Sequence, residues 1–63
     1  MTRYILENIE SRGTYYVSCT EPLGQRPVVK ITQRQELAPG FDSMTQAYLI
    51  AAQIPGRWQA VAV

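Results

Sequence analysis

Residues 42–56, DSMTQAYLIAAQIPG, carry the one helix-like pattern in this chain of 63 residues. Ser43 and Gln46 stand at the spacing of a capping box, in which each side chain accepts a hydrogen bond from the other residue's backbone N–H. Apolar side chains then recur at helical spacing as far as Ile54, on an arc wider than a narrow stripe. Pro55 and Gly56 end the pattern. We therefore predict one helix from Ser43 to Ile54, with more apolar surface than one sheet face can cover.

Alternation of side-chain character with period two predicts strands on both sides of this segment. Ser11-Arg12-Gly13 separates the first two strands and predicts a β-hairpin, while two prolines place residues 21–27 in a loop. The order β-β-β-α-β predicts a single α+β domain over residues 1–63, a small and mainly antiparallel sheet of about four strands with one helix packed on one face. Strand order stays open. The predicted strands are residues 3–10, 14–20, 28–34 and 57–63.

A domain of this length buries a small core, and natural folds of this size usually add disulfides, a metal or a partner subunit. Cys19 is the only cysteine, and the chain has no histidine. We therefore expect no disulfide, no metal site and no cofactor. A protein partner or self-association is the remaining source of stability.

The net charge of +1 gives no long-range field that would attract nucleic acid or anionic lipid. The chain also contains no apolar run of the length that a signal peptide or a membrane span requires. We expect a cytosolic protein without a membrane partner.

The residues that usually carry catalysis have more probable structural roles. Cys19 lies in an apolar strand, where we expect it to pack in the core. Glu7 and Glu10 are three positions apart in a strand, a spacing that places them on opposite faces, and Asp42 precedes the helix, where it suits capping. We therefore predict no catalytic residues and no enzyme, and an active site shared across an oligomer interface is the least favoured alternative.

Three groups of residues are candidates for contact with a partner. Alternation lets only one of Tyr15 and Tyr16 face the helix, so the other is available on the far side of the sheet, beside arginines. Trp58 and Arg57 form a second group, although a single tryptophan in a small domain is more often a core residue, and the outer apolar arc of the helix forms a third. The predicted partner-binding residues are Tyr15, Tyr16, Arg12, Arg34, Tyr48, Leu49, Ile50, Arg57 and Trp58.

The leading hypothesis is a non-enzymatic protein–protein interaction module, as a homodimer or as a small inhibitor or adaptor that docks on a larger complex. Very short single domains with few cysteines are common among accessory proteins of phages and mobile elements, including anti-CRISPR proteins, and this analogy rests on size and composition alone. The alternative is a single-stranded nucleic-acid-binding protein that uses the tyrosines and arginines of the sheet to stack bases.

Overall fold

The computed structural model describes residues 2–63 and has four strands, a short 3-10 helix and one α-helix. The order β-β-β-α-β confirms the predicted α+β class. Each strand is one to three residues shorter at its ends than its predicted range, because the terminal residues leave the ladder at the turns. The elements are β1 (Tyr4–Asn8), β2 (Tyr15–Thr20), β3 (Val28–Thr32), the 3-10 helix (Gln35–Leu37), α1 (Met44–Ala51) and β4 (Trp58–Ala62).

All pairings in the sheet are antiparallel, and the strand order is β3-β2-β1-β4. The long connection through α1 therefore carries the chain from one edge of the sheet to the other. There β4 pairs with β1 along its whole length, from Tyr4 opposite Ala62 to Asn8 opposite Trp58. The rule that fixes the handedness of parallel crossovers does not apply, since β4 runs antiparallel to β3.

The two central strands, β1 and β2, separate soon after the hairpin turn that joins them. Glu7 lies opposite Tyr15, but further along β1 the residue Tyr4 exchanges two backbone hydrogen bonds with Phe41, of 3.0 and 2.7 Å. The register of β2 against β3 shifts between Tyr16 and Ser18, which marks a β-bulge. A bulge bends its strand and increases the local twist, and the β2–β3 hairpin consequently diverges from β1.

The start of α1 confirms the predicted cap. Ser43 has extended backbone angles, and its hydroxyl accepts a hydrogen bond from the Gln46 N–H at 3.2 Å. The reciprocal bond differs from the prediction, because the Gln46 side chain accepts from the N–H of Asp42 at 3.3 Å and not from that of Ser43.

The end of α1 comes earlier than predicted, at Ala51 and not at Ile54. The Gln53 N–H donates to the Ile50 carbonyl three residues back, so the last turn tightens. The residue before a proline disfavours helical backbone angles, which explains why Ile54 lies outside the helix. Gly56, with φ of 101°, then reverses the chain into β4.

The sheet buries side chains on both faces. On the helix side, Leu6, Ala47, Ile54 and Trp58 form the core, and the Tyr16 ring meets the Trp58 ring edge-on with centroids 6.2 Å apart. On the other side Ile5 is fully buried, beside a cavity that is also lined by residues of the connection before α1. That connection therefore shields part of the sheet face away from the helix.

Substitution of Tyr15 and of Tyr16 tests which face of the sheet each side chain occupies. We expect Tyr16→Ser to lower the free energy of unfolding by roughly 3 kcal/mol, because it removes the ring packed on Trp58 and leaves a cavity. Tyr15 is half-buried on the other face, so Tyr15→Ser should cost about 1 kcal/mol. Urea denaturation of the two variants measures the difference, and equal losses would contradict the assignment of faces.

Candidate interaction surface

The helix α1 covers only part of the four-stranded sheet. It packs mainly against β1 and β4. An α-helix with its side chains is about 10 Å wide and neighbouring strands are about 4.8 Å apart, so one helix covers about two strands. The helix-side face of β2 and β3 is consequently left without a covering element in residues 2–63.

The uncovered face is apolar. Tyr16 lies opposite Ile31 and Cys19 opposite Val29, and cross-strand partners project from the same side of a sheet. Ile31 is 55% exposed, and the other three are half-buried at the margin of the core. None of the four is an Asp, Glu, Lys or Arg residue. These four residues, Tyr16, Cys19, Val29 and Ile31, are called the open half-sheet below.

The β-bulge is what brings Tyr16 and Cys19 to one face. Residues three apart in a regular strand project to opposite faces, but the extra residue in the bulge restores the same side. Sequence alternation therefore could not group these two side chains. Cys19, which we predicted to be a buried packing residue, is half-buried and lines the surface.

A cleft of about 370 Å³ separates the open half-sheet from the end of α1. Tyr16 and Cys19 form its sheet side, Ile50 and Ile54 form its helix side, and Glu21 and Gln53 complete the lining. Burial, and to a smaller extent the neighbouring Cys19 thiol, raises the pKa of Tyr16 above its ordinary value of 10. The phenol therefore stays neutral, and Glu21 is the one Asp, Glu, Lys or Arg residue of the lining.

The two edges of the sheet differ in their protection. At the β4 edge, the backbone N–H of Ala60 donates to the Tyr48 hydroxyl at 3.3 Å. At the opposite edge β3 has β2 as its sole neighbour among residues 2–63. An edge strand without cover presents backbone donors and acceptors to other chains. The open edge and the open half-sheet thus belong to the same hairpin.

Away from the helix, Glu7 joins the hairpin turn to the far edge strand. Its carboxylate accepts from the Gly13 N–H at 3.2 Å and from the Gln59 amide at 3.0 Å, and it pairs with Arg12 at 3.3 Å. The Gly13 hydrogen bond is the largest influence that lowers the pKa of Glu7 below 4.5, with burial opposing it and Gln59 and Arg12 assisting. Glu7 is therefore a structural carboxylate.

The predicted contact residues do not form one surface. Tyr15 is half-buried on the face away from the helix, near Glu7, and Tyr16 lies on the opposite face. Leu49 is 59% exposed on the outer side of α1, and Tyr48 lies towards the β4 edge. Ile50 is half-buried and lines the cleft.

The remaining predicted residues are scattered or buried. Arg34 and Arg57 are exposed beyond the end of β3 and before the start of β4. Trp58, which the sequence offered both as a core residue and as a contact residue, is 8% exposed, and its indole N–H donates to the Pro55 carbonyl at 3.0 Å. The large apolar ring fills the core under α1 and is not accessible to a partner in this fold.

Sequence reasoning missed Val29 and Ile31 as surface residues. Their side chains were recognised as one face of β3. The feature that could have identified them as surface residues is the small width of a single helix relative to four strands. Which two strands lack a covering helix depends on strand order, which the sequence left open.

No group of three acidic, cysteine or histidine residues in residues 2–63 could hold a metal ion. No helix in that range is long and apolar enough to cross a membrane. A scan against protein-family models found no match, and neither did searches of curated proteins and of solved structures.

The hydrogen bonds of Glu7 predict a pH dependence of stability. A folded-state pKa below the unfolded value contributes stability above about pH 4.5, and this contribution is lost as the pH falls towards the folded-state pKa. Glu7→Gln should therefore be less stable than the wild type at pH 7, with the difference shrinking below about pH 4. Urea denaturation across this range measures it.

Glu10→Gln is the matched control, since Glu10 is exposed and lies in the same hairpin turn. It should keep the pH dependence of the wild type. If the free energies of unfolding of Glu7→Gln and the wild type differed by a constant amount from pH 3 to pH 7, the assigned role of the Glu7 charge would be contradicted.

Proposed function

We propose that this chain is a non-enzymatic protein–protein interaction module that docks through the open half-sheet. The observation that carries the proposal is the bare apolar face of β2 and β3, with Ile31 55% exposed beside a cleft lined by Ile50 and Ile54. Apolar burial supplies about 25 cal/mol per Å², and contiguous exposed apolar surface marks interaction sites. The open half-sheet itself contains no Asp, Glu, Lys or Arg residue, and Glu21 is the acidic residue of the adjoining cleft.

The side chains that could serve catalysis are engaged elsewhere, which favours binding over chemistry. The Glu7 carboxylate holds the hairpin turn and Gln59. Cys19 faces Val29 across the hairpin, and burial raises the pKa of the neighbouring Tyr16, which keeps the phenol protonated and leaves little phenolate to act as a base. A nucleophile needs a base within hydrogen-bond reach, and this pair does not offer a favourable one.

Size and composition favour the role of an inhibitor or adaptor that docks on a larger bacterial complex. The analogy is with accessory proteins of phages and mobile elements, which are often single domains of this length, and it extends to no motif. A module of this kind needs one apolar patch and a stable fold, and the open half-sheet meets the first requirement.

The placement of the aromatic residues favours a protein over single-stranded nucleic acid. Tyr15 and Tyr16 lie on opposite faces, so they do not form a joint platform for stacked bases. Arg12 pairs with Glu7, and the net charge is only +1. A nucleic-acid interface would need a cluster of cations beside exposed rings.

The test compares protein capture with oligonucleotide capture. The immobilised wild type is incubated with bacterial lysate and separately with single-stranded oligonucleotides, while light scattering reports its self-association. We expect association with protein, either with itself or with a lysate protein, and no retention of oligonucleotide. Ile31→Glu should weaken the association at least about tenfold, because it places a charge at the most exposed residue of the patch.

Leu49→Glu is the matched control, since Leu49 is similarly exposed at 59% but lies on the outer side of α1. It should retain association. A monomeric chain that captures no protein, or one that retains oligonucleotide instead, would overturn the proposal.

A further inference from the structure

We infer that the bare edge of β3 binds an extended segment of a partner protein as a fifth strand, and that this segment alternates acidic and aliphatic residues. The inference rests on the proposed function and names the chemistry of the partner at the same hairpin. In the complex, the added strand runs beside β3. Its aliphatic side chains lie next to the open half-sheet, and its acidic side chains lie on the opposite face of the sheet.

The backbone of β3 determines the kind of molecule that fits its edge. In an antiparallel pair, every second residue turns its N–H and C=O groups away from the neighbouring strand. Among residues 2–63, no backbone–backbone hydrogen bond joins Val28–Thr32 to a segment other than β2. Donors and acceptors at this regular spacing match another extended chain, which is the basis of strand addition. The edge therefore selects an extended peptide.

The free edge has a defined length. Pro27 has no N–H to donate, so a ladder along this edge begins at Val28. Beyond Thr32 the chain bends, and the N–H of Arg34 donates to the Thr32 hydroxyl at 3.1 Å. The five residues of β3 therefore offer an edge about 17 Å long. A segment of about five to seven residues covers it.

The side chains around this edge are basic. Residues 22–34 contain Arg26, Lys30 and Arg34, which are three of the six Lys and Arg residues of the chain, and no Asp or Glu. All three are exposed. The one ion pair among residues 2–63 lies at the turn between β1 and β2, so none of the three pairs with a carboxylate of the chain. The edge therefore complements an acidic partner, although the net charge of the chain is only +1.

The two faces of β3 differ, and this difference predicts the alternation in the partner. Lys30 lies opposite Ser18, on the face away from the helix, whereas Val29 and Ile31 lie on the helix side. Side chains of an added strand also alternate between the two faces, and neighbours across the strands interact. One set of its side chains would contact Ile31, and the other set would lie beside Lys30. Aliphatic and acidic residues at alternate positions satisfy both.

The same lysine disfavours a second copy of this chain as the added strand. Lys30 is the central residue of β3, so antiparallel pairing of two β3 strands about their centre would place the two Lys30 side chains opposite each other. Like charges directly opposite are destabilising. Lysine on an edge strand is a usual safeguard against self-pairing, but it does not oppose an acidic strand.

Single-stranded nucleic acid is the competing occupant for the basic residues. Its phosphates would pair with Arg26, Lys30 and Arg34, but it would leave the backbone groups of β3 and the exposed Ile31 without partners. An acidic and aliphatic peptide strand supplies a partner for the backbone, for the basic residues and for the apolar face. The peptide is therefore favoured over the oligonucleotide.

The experiment measures the binding of fluorescein-labelled heptapeptides to the purified full chain by fluorescence anisotropy. We expect the peptide of alternating valine and glutamate to bind at least about tenfold more tightly than the peptide of alternating valine and lysine. Its affinity should fall as salt is added. Failure of the glutamate peptide to bind, or equal binding of the two peptides, would overturn the inference.

Methylation of the peptide backbone tests strand addition separately from charge. Alternate residues of a strand direct their N–H groups to opposite edges, so either the valine or the glutamate N–H groups face β3. One glutamate peptide is N-methylated at its valines and a second one at its glutamates. One of the two should bind at least about tenfold more weakly, and the other should retain its affinity. Equal affinities of the two methylated peptides would overturn the added strand.

Lys30→Glu reverses the charge at the middle of the edge. It should weaken binding of the glutamate peptide at least about fivefold and strengthen binding of the lysine peptide. Arg57→Glu is the matched control, since Arg57 is also exposed and the change in net charge is the same, but it lies before β4. It should leave both affinities unchanged, and equal effects of the two variants would overturn the assignment to β3. Circular dichroism confirms that both variants are folded.

Capture from bacterial lysate separates this inference from the proposed function. A lysate protein captured in an Ile31-dependent manner, with no effect of Lys30→Glu, would support the proposed function and overturn the acidic strand. Displacement of the glutamate peptide by a single-stranded oligonucleotide, with both methylated peptides still bound, would identify a phosphate site and also overturn it. A chain that captures no protein and binds no peptide contradicts both.

Discussion

The width of one short helix limits what this sheet can bury. The eight residues of α1 lie on β1 and β4, where the fully buried Ala47 and the small Ala60 allow the helix to approach the strands closely. Two strands remain outside its reach, since a helix covers about two and the sheet has four. The residues that would form the second half of a core therefore lie at the surface.

The bulge in β2 determines which residues occupy that surface. Without it, Tyr16 and Cys19 would project to opposite faces, and a thiol would lie on the face that carries Ser18 and Lys30. With it, both lie on the helix side, where Tyr16 also contacts Trp58. Tyr16 thus belongs both to the margin of the core under α1 and to the open half-sheet, so packing in the core influences the shape of the open half-sheet.

Local features of the fold were predictable from the sequence, and long-range features were not. The Ser43 cap, the turn at Gly13 and the order of elements follow from residues close together in the chain. Strand order and the bulge depend on contacts between distant segments. Of the contact residues predicted on α1, Tyr48 and Leu49 are exposed and Ile50 is half-buried, whereas Val29 and Ile31 become a candidate site only when the pairing of β4 with β1 is known.

The position of α1 also determines which edge of the sheet is open. From the helix, Tyr48 reaches the Ala60 N–H and occupies a backbone donor of β4, while β3 at the other edge receives no such contact in residues 2–63. Bare edge strands tend to pair without limit, and proteins usually shield them. The open half-sheet and this unshielded edge belong to one hairpin, so a partner that docks on the face would also lie beside the backbone donors and acceptors of β3.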